Sequence, residues 1–118
     1  MKNILVAEDD QFLAEMIRLA LEEHDVEVRM ARDGEEAVKA IEDRHPDLLL
    51  LDLIMPKKDG LHVLTHIKDK GYTFPVVILS NLSGETVSAQ YFSLGIRDYL
   101  IKSNLDEDDL WKKIERYL

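Results

Sequence analysis

At 118 residues, with 46% apolar and 33% charged side chains, the chain is long enough to close one hydrophobic core without staples. It contains no cysteine, which excludes disulfides and thiolate metal sites, and its net charge of −9 opposes binding to a nucleic-acid backbone. No apolar run approaches the roughly 20 residues of a membrane span. Met1-Lys2-Asn3 leads directly into a strand, so neither a membrane contact nor a signal peptide is expected, and a reducing cytoplasm suits the composition.

Short apolar runs alternate with segments of helical period. Ile4-Leu5-Val6-Ala7 reads as the first strand. Phe12, Leu13, Met16, Ile17, Ala20 and Leu21 then recur at helical spacing, with Asp9 or Asp10 available as the cap. Val26, Val28 and Met30 alternate with charged residues, as in a more exposed strand. Asp33-Gly34-Glu35-Glu36 opens a second helix with a capping acid, Ala37, Val38 and Ile41 form its apolar stripe, and Pro46 bars its continuation. Leu48 to Leu51 is continuously apolar, which predicts a strand buried on both faces. A loop through Pro56 and Gly60 precedes a helix with Leu61, Leu64 and Ile67 on one side, stopped by Gly71. Val76 to Leu79 forms the fourth strand, a helix follows from about Ser83 to Leu94 and ends at Gly95, and Asp98 to Ile101 is the fifth strand. The last helix turns Leu110, Ile114 and Tyr117 inward. Five strands alternating with five helices predict one α/β domain over 1–118, a doubly wound parallel sheet with helices on both faces.

Four of these strands end on a polar residue. The first stops at Glu8-Asp9-Asp10, the third at Asp52, the fourth at Ser80 and the fifth at Lys102. In parallel sheets ligands bind beyond the carboxyl ends of the strands, so these groups converge on one edge. Two carboxylates about 4 Å apart repel by roughly 4 kcal/mol at an effective dielectric near 20. Three need a proton or a cation between them, and an all-oxygen set selects Mg²⁺, with Mn²⁺ also fitting.

Over essentially its whole length the chain resembles the receiver domain of two-component response regulators. The resemblance rests on Glu8-Asp9, Asp52, Met55-Pro56 with Asp59-Gly60, Ser80, and Tyr99 with Lys102, each at the matching strand end. It implies a sheet of order 2-1-3-4-5 and a signalling switch rather than an enzyme with an external substrate. By the resemblance, Asp52 is the phosphoacceptor for a phosphohistidine on a sensor histidine kinase or histidine phosphotransfer protein. The metal is held by Glu8 through water, by Asp9 and Asp52, and by the backbone carbonyl of Ile54. Lys102 pairs with a phosphoryl oxygen, Ser80 donates a hydroxyl to it, and Ser80 with Tyr99 forms the switch. Asp10 drops out as a helix cap.

The chain also departs from the family pattern. Ser103 replaces the usual proline after Lys102, so the bond there need not be cis. Lys58 stands where a second Met is usual, and Asn81, after Ser80, could contact the phosphoryl group or crowd it. Ile54 and Leu82, two positions past Asp52 and Ser80, are both apolar, so neither can orient a hydrolytic water and a long-lived aspartyl phosphate is expected. His62 and His66 share one helix face without a third ligand, which favours a solvated face over a metal site, and His24 and His45 read as helix-end residues.

Two other functions compete with this reading. An aspartyl-phosphate hydrolase needs a second acid two residues after its nucleophile, and here that position is Ile54. A non-phosphorylated interaction module would be expected to lose acids from the site, and all are present. Output is open between a single-domain regulator, docking or dimerising on phosphorylation through the helix 4, strand 5, helix 5 face, and an effector domain beyond Leu118. Phe92, Tyr99, Ile101 and Trp111 are candidates on that face, with ordinary packing the alternative for Phe92 and Trp111.

Overall fold

Helix starts in this chain are set by aspartates. In the computed structural model, which describes residues 1–55, 57–80, 89–104 and 106–118, Asp10 Oδ1 accepts from the N–H groups of Phe12 and Leu13 and opens α1, Gln11–Glu22. Asp33 does the same for Glu36 at α2, Gly34–Asp43, Asp59 for His62 at α3, Gly60–Lys70, and Asp106 for Asp109 at α5, Glu107–Ile114. Each such cap satisfies helix N–H groups that have no intrahelical partner and contributes about 1 kcal/mol. Part of the acidic excess is therefore structural. Between the helices lie β1 (Lys2–Ala7), β2 (Val26–Ala31), β3 (Leu48–Asp52), β4 (Val76–Ser80) and β5 (Asp98–Ile101), with α4 (Ala89–Ser93) before the last strand.

The sheet is parallel throughout, in the order β2-β1-β3-β4-β5. Both of its faces are buried, because alternate residues of the central strands feed separate cores. Leu5, Ala7, Leu49 and Leu51 pack with Ala37, Ile41, Val63, Leu64 and Ile67 from α2 and α3. Ile4, Val6, Leu48 and Leu50 pack with Ile17, Leu21, Leu110 and Ile114 from α1 and α5. Edge strand β2 is only half covered between Val26 and Ala31, as its alternating pattern implies.

Several details differ from the sequence reading. Phe12 is 84% exposed rather than part of the α1 stripe, because it sits in the first turn of the helix, beside Lys102 and Ser103 at the carboxyl edge of the sheet. On α3, Val63 is buried while Leu61 is half-buried. Tyr117 is also half-buried, because the last helix tightens into a 3-10 turn over Glu115–Tyr117 and the phenol donates to Asp98 Oδ2 at 3.0 Å. The expected helix from Ser83 is described only over Ala89–Ser93, and positions 83 to 88 lie outside the described residues. No described helix is long and apolar enough to cross a membrane.

Candidate functional site

Strand register explains why the polar strand ends meet. Ala7 pairs with Leu51, so Glu8 follows directly beside Asp52. Asp52 pairs with Leu79, and Ser80 pairs with Ile101, so Ser80 and Lys102 each lie one step further along adjacent strands. The chain leaves β1 toward β2 on one side and returns to β3 on the other, so Glu8, Asp9 and Asp52 flank the topological switch of the sheet. Asp9, Asp10, Asp52, Ile54, Ser80 and Lys102 line a cleft of about 290 Å³ there.

Within the cleft Glu8, Asp52 and Ser80 are buried, at 1%, 4% and 2% exposure, while Asp9 is exposed. Carboxylate oxygens of Glu8, Asp9 and Asp52 all lie within 4.8 Å of one another. Lys102 Nζ stands between two of them, 2.6 Å from Glu8 Oε1 and 2.9 Å from Asp52 Oδ2. The remaining carboxylate oxygens accept backbone hydrogen bonds, Glu8 Oε2 from Asp10 N–H at 3.1 Å and Asp52 Oδ1 from Ile54 N–H at 3.2 Å. Lys102 is therefore not an end-of-strand lysine reaching for water. It is the counter-charge of the site.

Burial pushes the Glu8 carboxyl up to about 7, with the charge of Asp52 adding to the rise, while pairing with Lys102 and the Asp10 N–H oppose it. Burial works against the ammonium of Lys102, but its pairing with Glu8 and Asp52 outweighs this and raises its pKa. The ammonium supplies one positive charge against three carboxylates. Glu8 Oε1 is fully buried, and among the described residues the Lys102 ammonium is its partner. Three carboxylates of hard oxygens within 4.8 Å of one another, with a single ammonium among them, fit a small divalent cation.

The other expected residues fall as follows. Ile54 is at the mouth of the cleft and 67% exposed. Leu82 and Asn81 lie outside the described residues. Tyr99 pairs with Ile78, two positions back from the edge, is half-buried, and meets Phe92 edge-on at 6.0 Å between ring centroids. The bond after Lys102 is trans, no described peptide bond being cis, and Lys102–Asn104 forms a 3-10 turn. Lys58 is exposed. His66 departs from the solvated reading: its Nε2 lies 2.6 Å from Glu42 Oε1, on a carboxylate that also accepts from the Tyr72 hydroxyl. Trp111 stacks on His24 at 3.9 Å, which favours packing over docking for that residue. A larger cleft of about 430 Å³, lined by Tyr72, Phe74, Gly95 and Arg97 among others, opens where β4 and β5 begin, away from the carboxylates.

In the sequence Gly34 is legible only as part of a helix start. Its neighbour Asp33 was the available signal, but the contact Gly34 makes is with a loop far away in sequence.

Comparison with known proteins gives a consistent picture. The family model described as the response regulator receiver domain matches residues 4–115. Response regulator RR06 of Streptococcus pneumoniae serotype 2 (strain D39 / NCTC 7466) is 41% identical over 100 residues, covering 85% of this chain and 46% of that protein. The chain thus spans about half the length of the curated relatives it matches. Among solved structures, the receiver domain of the Francisella response regulator 1452 superposes with a TM-score of 0.90 at 30% identity, covering 99% of this chain and 96% of that one. The Mn²⁺-bound form of response regulator Rcp1 does so with a TM-score of 0.84 at 31% identity, covering 98% and 92%.

Proposed function

The chain belongs to the response regulator receiver family, and from that premise we propose that Asp52 is a phosphoacceptor fed by a sensor histidine kinase or a histidine phosphotransfer protein. One observation carries the reading: Asp52 is buried at the switch point of the sheet, beside two further carboxylates, with Lys102 Nζ 2.9 Å from its Oδ2. In the transfer, the P–N bond of a phosphohistidine breaks as a P–O bond to Asp52 forms. The bonding electron pair leaves with the imidazole. Asp52 reacts as the carboxylate, oriented by the Ile54 N–H on Oδ1. Lys102 exchanges its contact with the carboxylates for one with a phosphoryl oxygen, and the Ser80 hydroxyl donates to another. Asp9, Asp52, the Ile54 carbonyl and, by way of a water, Glu8 would hold a divalent cation, Mg²⁺ or Mn²⁺, which when bound would neutralise charge on the transferring group.

The domain acts only on its own phosphorylation state, in the cytoplasm. Ser80 moving toward the phosphoryl group and Tyr99 turning after it shift the face formed by α4, β5 and α5 between two states. That face signals by docking or dimerisation, or to a domain beyond Leu118. With Ile54 apolar at the mouth of the cleft and Leu82 apolar in sequence, the phosphoryl group persists. The reading is tested by Mg²⁺-dependent incorporation from a small phosphodonor into the wild type and Asp52→Ala. Incorporation in the wild type alone is expected, and equal incorporation in both would sink the assignment.

A further inference from the structure

The loop between β3 and α3 carries Ile54, whose N–H holds Asp52 and whose carbonyl is assigned to the metal. Its two ends are anchored. Asp52 is the last residue of β3, and Gly60, the first of α3, donates its N–H to Leu53 O at 3.0 Å. Gly60 also sits so close to this backbone that a Cβ would lie 2.7 Å from Asp52 O and from Leu53 Cα. Between the anchors, Lys57 and Lys58 adopt left-handed φ values of 46° and 74°. Such a conformation in non-glycine residues persists only where the surroundings impose it.

What faces these lysines is the start of α2. The Glu35 N–H donates to Lys57 O at 3.1 Å. Gly34 lies against Lys58 so closely that a Cβ there would meet Lys58 O at 1.8 Å and Lys58 Cβ at 2.9 Å. Unlike the far end of a flexible side chain, a backbone carbonyl cannot step aside without moving the loop. We propose that Gly34 is a positioning residue for the phosphorylation site: by admitting the Lys58 carbonyl, the first turn of α2 clamps the loop that presents Ile54 and orients Asp52. Gly34 touches neither phosphoryl group nor metal. It acts through the loop.

The proposal rests on the metal-site reading above, and the two are separable by experiment. Mn²⁺ alone is titrated into the unphosphorylated protein, with free ion counted by electron paramagnetic resonance, for the wild type, Gly34→Ala and Ile41→Val. Ile41 is buried on the same helix but belongs to the core below it, so its variant controls for lost stability, which urea unfolding measures in parallel. Gly34→Ala is expected to weaken Mn²⁺ binding about 10-fold or more, in the range found when groups supporting metal ligands are removed, while Ile41→Val leaves it unchanged. Unchanged affinity in Gly34→Ala, or an equal fall in Ile41→Val, overturns the proposal. Absence of Mn²⁺ binding in the wild type instead overturns the metal-site reading. Should Gly34→Ala fail to fold, Glu35→Pro carries the same test: it deletes the N–H that holds Lys57 O at a first-turn position that tolerates proline. Wild-type affinity in that variant counts against the clamp.

Discussion

Replacing Lys102 with Met removes the only charge that the described protein groups place between Glu8 and Asp52. At 2.6 and 2.9 Å each contact is worth about 6 kcal/mol gross at an effective dielectric near 20. Desolvation of the ammonium offsets much of this, and breaking a buried pair from one side typically costs about 3–5 kcal/mol net. With a urea slope of about 2 kcal/mol per molar, the unfolding midpoint of the metal-free variant should fall by about 2 M. The loss depends on pH through Glu8, whose pKa is raised from 4.5 to about 7. A raised carboxyl means that the folded state holds a proton the unfolded state has released. Its contribution is therefore complete below 4.5 and is lost as pH rises through about 7. Without the ammonium the proton is held to still higher pH, so the variant's penalty is small on the acid side and grows above neutrality. Urea unfolding followed by Trp111 fluorescence, at about pH 5.5 and about pH 8, separates the two regimes. Adding Mg²⁺ at the higher pH should recover more stability in the variant than in the wild type, since a cation then replaces the missing charge. Equal midpoints for both proteins in metal-free buffer at the higher pH would refute the reasoning.

Two further outcomes are expected. Ile54→Asn introduces a polar amide at the mouth of the cleft and should speed loss of the aspartyl phosphate, measured by decay of radiolabel at neutral pH. An unchanged decay, or loss of label from the wild type within seconds, counts against apolar control of lifetime. Asp10→Ala removes an acceptor used by two helix N–H groups and should cost about 1 kcal/mol in urea unfolding, with Asp10→Ser retaining most of it. Equal losses in both variants would show that the cap is not the cause.

The alternation of apolar runs with amphipathic segments determined the element order and the parallel sheet. Hydrophobic period and terminal caps are local properties, visible wherever the chain is read. The same locality made Glu8, Asp52, Ser80 and Lys102 recognisable as strand ends. Tertiary structure decided what local pattern cannot carry. Phe12 fits the helical period but escapes the core, since the first turn of α1 reaches past the sheet edge. His66 finds Glu42 across 24 residues of sequence. The near contact of Gly34 with Lys58 brings the start of α2 against a loop that no sequence period connects to it. Residue types at strand ends are written locally, whereas the distances among Glu8, Asp9, Asp52 and Lys102 exist only once strand order and register bring three separate segments to one edge.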